Sequence, residues 1–319
     1  MDRARKYRDA IYAGIMGDAL GVPVEFSSRQ DLALCSVKNM LGYGRYDQPE
    51  GTWSDDTSLS LCTMESLRRG YDIEDMGRQF CKWLFESTWT ATGFVFDAGL
   101  TTFMALDRIN TEKISARTSG GTSEDDLGNG SLMRILPAAL FFSPEADEPF
   151  LEKIHEISAI THAHPRAKIA CGIYALVVRE LIANPDLHQA LRGAVQKALG
   201  YYSPREEFKK ELSHFIRIVS YAIPDAQEEE INSSGYVIDT LEAALWCSFR
   251  HATAKDVLLA AVNLGMDTDT TGMVAGGIAG LAYGLDTIPE HWLRSIALKK
   301  EIDALVDSFI EAALKGATA

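Results

Sequence analysis

An all-α fold is what this sequence predicts, and three observations carry the prediction. Apolar residues recur at three- and four-residue spacing along nearly the whole chain. No stretch alternates apolar and polar residues convincingly, as a half-buried strand does. Near the end, the run GMVAGGIAGLAYG over 272–284 sets small residues at short intervals on a helix-periodic segment. Each glycine costs a helix roughly 1 kcal/mol relative to alanine, so their repetition marks close backbone packing and puts this helix at the centre of a bundle. The apolar run is too short to read as a membrane span.

The elements follow in order. Ala10, Ile11, Gly14, Ile15 and Asp18 trace a first helix, which the Gly-Val-Pro break at 21–23 must end, leaving Glu25 on a loop. Leu59, Leu61, Cys62, Met64 and Leu67 trace the next one. Helical periodicity continues over 73–85, 97–106, 131–142, 150–160 and 166–182, and then over 206–222, 237–248, 254–264, 271–283 and 299–314. Clusters of Gly, Pro, Asn and Ser mark loops at 42–51, 118–130, 143–149 and 228–235. None has the look of an interdomain linker, so residues 1–319 read as one domain.

Bulk properties narrow the function. A net charge of −14 opposes non-specific attachment to nucleic acid or to anionic membranes. The five cysteines, Cys35, Cys62, Cys81, Cys171 and Cys247, are widely spaced, odd in number and without a CxxC pair, and they read as reduced core thiols. The opening MDRARKYRDAIYAGIMGDALG interrupts its apolar stretch with Gly and Asp too early for a signal peptide. A cytoplasmic protein, monomeric and free of membranes, is expected.

Two acidic clusters stand out: Ser54-Asp55-Asp56-Thr57 and Asp267-Thr268-Asp269-Thr270, each opening a helical segment. Carboxylates and hydroxyls are hard donors that suit Mg²⁺ or Mn²⁺ better than Zn²⁺. Four aspartates brought together repel one another, and a pair of divalent cations offsets that charge. Ser, Thr and Asp also favour helix starts as caps, so capping is the competing explanation.

Between the clusters lie three segments with chemical character. GFVFDAGLTT carries Asp97, GNGSLMR carries Asn129 and Arg134, and THAHPRA carries His162 and His164. A Gly-Asn-Gly run before a helix offers amides to a phosphate, although an ordinary turn has the same composition. For the two histidines, capping and hydrogen bonding outrank metal ligation, because no Cys or third His lies near enough to complete a zinc site.

Taken together, GDALGVPVEF, GTWSDDTS, FDAGLTT, GNGSLMRILP, THAHP, GYVIDTLEAALW and GMDTDTTG resemble, in order, the motifs of the ADP-ribosylglycohydrolase family. The resemblance spans most of the chain and implies an orthogonal helical bundle with two Mg²⁺ or Mn²⁺ ions in a cleft. It places metal ligands at Ser54, Asp55, Asp56, Asp267, Asp269 and Thr270. It makes Glu25 a ligand or acid/base, and Asp97 a group near the scissile bond. Catalytic roles thus fall to Asp97, Glu25, Asp55 and Asp269. Asn129, Gly130, Ser131, Met133, Arg134, His162 and Tyr236 match segments that line the ADP-ribose pocket. Ser54 departs from the threonine usual in the family, keeping the hydroxyl and losing a methyl. Both aspartate pairs are intact, unlike those of inactive relatives.

The activity expected from this likeness is metal-dependent hydrolysis of the N-glycosidic bond between ADP-ribose and a protein side chain, foremost arginine. Its partners are then ADP-ribosylated proteins and ADP-ribose. Two rivals remain at this level: a two-metal phosphohydrolase acting on a nucleotide, and a non-catalytic ADP-ribose-binding or toxin-blocking protein.

Overall fold

A computed structural model describes residues 2–316; Met1 and residues 317–319 of the expected 1–319 unit lie outside the described residues. Sixteen α-helices carry the architecture, with three isolated β-bridges and no strand among the described residues. The first half contains α1 (Arg3–Gly21), α2 (Arg29–Leu34), α3 (Asp55–Leu67), α4 (Ile73–Glu86), α5 (Leu100–Asn110), α6 (Leu136–Phe141), α7 (Asp147–Ala159) and α8 (Pro165–Ala183). After these come α9 (Leu187–Tyr202), α10 (Glu206–Lys209), α11 (Ile216–Val219), α12 (Val237–Arg250), α13 (Ala254–Asn263), α14 (Thr268–Tyr283), α15 (Glu290–Ser295) and α16 (Lys299–Gly316).

The small-residue helix is where its composition puts it. α14 is buried from Thr268 to Leu281 and forms the most extensive helix pair of the fold with α1. A Cβ on Gly272 would lie 2.4 Å from the Gly17 carbonyl oxygen, and one on Gly276 would lie 2.3 Å from that of Ala13. The two backbones therefore meet where no side chain fits, and this repays the helix cost of the glycines. α12 and α13 also pack on α14, and α8 packs against α9, α7 and α6.

Several expected helices differ in extent. The stretch expected from 97 starts at Leu100, because Gly99 takes an extended conformation and leaves Asp97 in the preceding segment. The stretch expected over 131–142 reduces to α6: Asn129 O accepts from Leu132 N and Met133 N to make turns, and Pro137 sits at the start of the helix. The stretch over 206–222 breaks into α10, a 3₁₀ turn at Leu212–Phe215 and α11. There Ser213 Oγ bonds to Lys210 O, a local alternative to helical pairing. α14 starts earlier than expected, with Asp267 as its N-cap residue and Asp269 and Thr270 in its first turn.

Candidate functional site

The two acidic clusters face each other across one cleft. α3 begins at Asp55 with Ser54 as its N-cap, and the Ser54 hydroxyl accepts from Asp56 N at 3.3 Å. Capping and site-building therefore coexist there. At the second cluster they separate: Asp267 holds the N-cap position of α14, but its side chain caps nothing. Its Oδ2 instead accepts from Asn129 Nδ2 at 2.8 Å.

A cavity of about 310 Å³ lies between these helix starts, lined by Glu25, Asp55, Asp56, Asp97, Asp267, Asp269 and Thr270 on its acidic side. Asn129, Gly130, Met133 and His162 line the remainder, with Thr102 and Asp125. Among the lining residues there is no Lys or Arg to balance seven carboxylates, Asp125 included. Burial pushes the carboxyls of Asp55, Asp56 and Asp269 well above the usual range, and the neighbouring acids push them further. Burial and then Asp97 push Glu25 up to about 8. Asp97 is raised by burial and by Asp267.

This donor set fits hard divalent cations. Single oxygens of Glu25, Asp267 and Asp269 come within 4.8 Å of one another. Asp56 Oδ1 is buried without a hydrogen-bond partner, and the Ser54 and Thr270 hydroxyls both lie 3.3 Å from Asp56 Oδ2. Oxygen-only ligation with an unsatisfied buried carboxylate oxygen is what Mg²⁺ or Mn²⁺ would complete.

The opposite wall is built on the Gly-Asn-Gly loop. Asn129 N donates to Gly235 O at 3.0 Å, and Asn129 Nδ2 also reaches Thr240 Oγ1 at 2.8 Å. Gly130 lies against the His162 ring: a Cβ there would fall 2.9 Å from His162 Cε1 and 3.0 Å from Thr102 Oγ1. His162 is buried, and desolvation, then the charge of Arg134, lowers its pKa to about 3, so the ring is neutral. Arg134 Nη2 donates to Thr161 Oγ1 at 2.7 Å, and Thr161 Oγ1 lies 2.7 Å from His162 Nδ1.

Three residues of the expected pocket are absent from the cavity lining. Ser131 is fully buried beside Ser158 and Cys171. Arg134 is fully buried over the Phe80 ring and bonds to Gly130 O, supporting the loop from within. The Tyr236 hydroxyl pairs with Arg166, while its backbone bridges to Gly128. His164 caps α8 by accepting from Arg166 N at 3.1 Å.

Three further residues stand at the site without a role in the expectations above. Tyr46 donates to Glu25 Oε2 at 2.5 Å from the 42–51 loop, with its ring centroid 5.0 Å from that of Phe96. Thr102 Oγ1 is buried, unpartnered and on the cavity wall. Asp18 accepts the amides of Ser54 and Thr57, and burial pushes its carboxyl up to about 6 against those bonds. Asp18 and Thr102 lie in the quoted stretches GDALG and FDAGLTT, whereas a lone tyrosine in the 42–51 loop offers no such signal.

By likeness to known proteins, this all-α chain with a carboxylate-floored cleft is a hydrolase of N-glycosyl bonds. It belongs to the ADP-ribosylglycohydrolase family, whose model matches residues 1–318. It is 31% identical to ADP-ribosylarginine hydrolase Tri1 of Serratia proteamaculans over 304 residues, covering 95% of this chain and 78% of the other. Identity to the ADP-ribosyl-[dinitrogen reductase] glycohydrolase of Rhodospirillum rubrum is 33% over 303 residues, covering 92% of each. A solved structure described as an ADP-ribosylglycohydrolase-related protein complex superposes with a TM-score of 0.80 at 30% identity, covering 98% of this chain and 99% of that one. No helix among the described residues is long and apolar enough to cross a membrane.

Proposed function

We propose that this chain removes ADP-ribose from arginine side chains of modified proteins by hydrolysing the N-glycosidic bond, with two Mg²⁺ or Mn²⁺ ions in the cleft. The observation that carries the reading is the convergence of Glu25, Asp55, Asp56, Asp97, Asp267 and Asp269 on one cavity. The names of two relatives, both ADP-ribosylarginine hydrolases, support arginine as the acceptor. In this reading Ser54, Asp55, Asp56, Asp267, Asp269 and Thr270 hold the ions, with Glu25 beside them.

When bound, the ions supply positive charge that orients ribose hydroxyls and a water. The carboxylate floor stabilises positive charge as the anomeric carbon becomes oxocarbenium-like and also attracts the guanidinium. The C–N bond breaks with its electron pair going to nitrogen, and water oxygen bonds to the anomeric carbon. Asp97 or Glu25 takes the proton that water releases and returns one to the departing guanidine. On the other wall, Asn129, Gly130, Met133 and His162 hold the ADP-ribose, while Ser131 and Arg134 support that wall from behind and Tyr236 anchors its edge through the backbone bridge to Gly128. The chain works as one monomeric unit in the cytoplasm, where five unpaired cysteines remain reduced.

The test is release of free ADP-ribose from defined Arg-, Ser- and nucleic-acid-linked substrates with Mg²⁺ and Mn²⁺. Release from the arginine conjugate, lost in Asp55→Ala and Asp269→Ala, is the expected result. Absence of release from every conjugate, with metal bound, rejects the reading, and AMP or inorganic phosphate as product selects phosphohydrolysis.

A further inference from the structure

We infer that Asp18 is a positioning residue that sets the spacing between the two carboxylate walls, working through the backbone of α3 without touching ion or substrate; this rests on the cleft being a divalent-metal site. Asp18 is fully buried on α1 and is absent from the cavity lining. Its Oδ1 accepts from Ser54 N at 3.0 Å. Its Oδ2 accepts from Thr57 N at 3.0 Å and from Thr57 Oγ1 at 2.6 Å, and lies 3.2 Å from Ser54 N. No Lys or Arg pairs with it among the described residues. A buried carboxylate without a cation is costly, and here each of its hydrogen bonds goes to Ser54 or Thr57, which flank Asp55 and Asp56.

Helix capping alone does not account for this, since Ser54 already caps α3 with its own hydroxyl. What Asp18 adds is a connection. One turn of α1 holds Gly17, Asp18 and Gly21, and the two glycines lock α1 to the other wall. A Cβ on Gly17 would lie 2.1 Å from Gly272 O, and one on Gly21 would lie 2.3 Å from Asp269 N. Thr268 Oγ1 donates to Gly21 O at 2.8 Å. α1 is thus the common reference for both walls: glycine contacts fix Asp269 to it, and Asp18 fixes Asp55 and Asp56 to it. Without the carboxylate the first wall loses its register relative to the second. Residues behind metal ligands commonly change affinity by roughly 10- to 100-fold when altered.

The experiment is Mn²⁺ titration of the full chain by calorimetry, alongside thermal unfolding in EDTA, for wild type, Asp18→Asn and Thr57→Val. Asparagine keeps the size but turns an N–H₂ toward an amide N–H that it cannot accept from. The expected result is Mn²⁺ affinity lower by roughly 10- to 100-fold in Asp18→Asn, with a smaller loss in Thr57→Val, where one bond goes and the charge stays. Wild-type affinity in Asp18→Asn, together with a lower melting temperature in EDTA, reduces Asp18 to a stability role and overturns the inference. If Asp18→Asn does not fold, unchanged affinity in Thr57→Val overturns it equally. A wild-type chain that binds no Mn²⁺ brings down the metal reading and this inference together, whereas unchanged variants of a metal-binding wild type bring down this one alone.

Discussion

Asn129 Nδ2 donates to Asp267 Oδ2 at 2.8 Å, joining the Gly-Asn-Gly loop to the start of α14 across 138 residues of sequence. The same amide nitrogen reaches Thr240 Oγ1, so α12 supports the contact from the far side. One side chain therefore orients an acidic residue and shapes the pocket beside it. Asn129→Ala is expected to weaken Mn²⁺ binding by about 10-fold and to raise KM for the arginine conjugate. Calorimetry and steady-state kinetics check the two effects separately.

Thr102 Oγ1 is a buried hydroxyl without a partner on the cavity wall, an arrangement that costs stability until a ligand satisfies it. Thr102→Val is expected to stabilise the ligand-free protein by about 1 kcal/mol in urea unfolding. The same variant should bind ADP-ribose less tightly. Stability and affinity moving in opposite directions is the signature to look for.

Gly130→Ala puts a methyl 2.9 Å from His162 Cε1 and 3.0 Å from Thr102 Oγ1. Both neighbours are buried, so neither moves freely. The expected cost is about 1–3 kcal/mol of stability, with ADP-ribose affinity falling at least about 10-fold as the wall is pushed inward. Denaturant unfolding and ligand titration measure these.

Glu25 titrates near 8 in the metal-free fold against 4.5 ordinarily, so the folded state holds a proton that the unfolded chain releases. A carboxyl raised in this way contributes stability that is fully present below about pH 4.5 and lost as pH rises through about 8. In EDTA the melting temperature is therefore expected to fall across that window. Mn²⁺ held as proposed would require the ionised carboxylates, so its stabilising increment should be larger at about pH 8.5 than at about pH 5.5. Melting curves at both values, with and without metal, check the sign.

The helix content was legible because burial follows the apolar spacing, as in α4, where Ile73, Met76, Phe80 and Trp83 are inside at three- and four-residue intervals. Both acidic clusters were legible from their hydroxyl-and-carboxylate composition, and the Gly-rich α14 from its repeated small residues. α9 was equally readable and went unmarked, although Asp186 accepts from Gln189 N at its start and Leu187, Ala190, Leu191 and Ala194 follow a buried face. Other features depend on tertiary contact. Asp97 leaves its helix at Gly99 and lies near Tyr46, and nothing local announces either. The burial of Ser131 and Arg134 behind the pocket follows from where α4 and α7 pack, which a motif does not encode.

The pairing of α1 with α14 joins the first helix of the chain to one that begins at residue 268. On a ribosome the first partner emerges long before the second. The cleft therefore cannot close, nor its two carboxylate walls meet, until α14 has been made. A chain cut in the loop between α9 and α10 would carry Asp55 and Asp56 on one piece and Asp267 and Asp269 on the other, each inert alone. Recovery of Mn²⁺ binding on mixing the pieces would make this protein a reporter of its own reassembly.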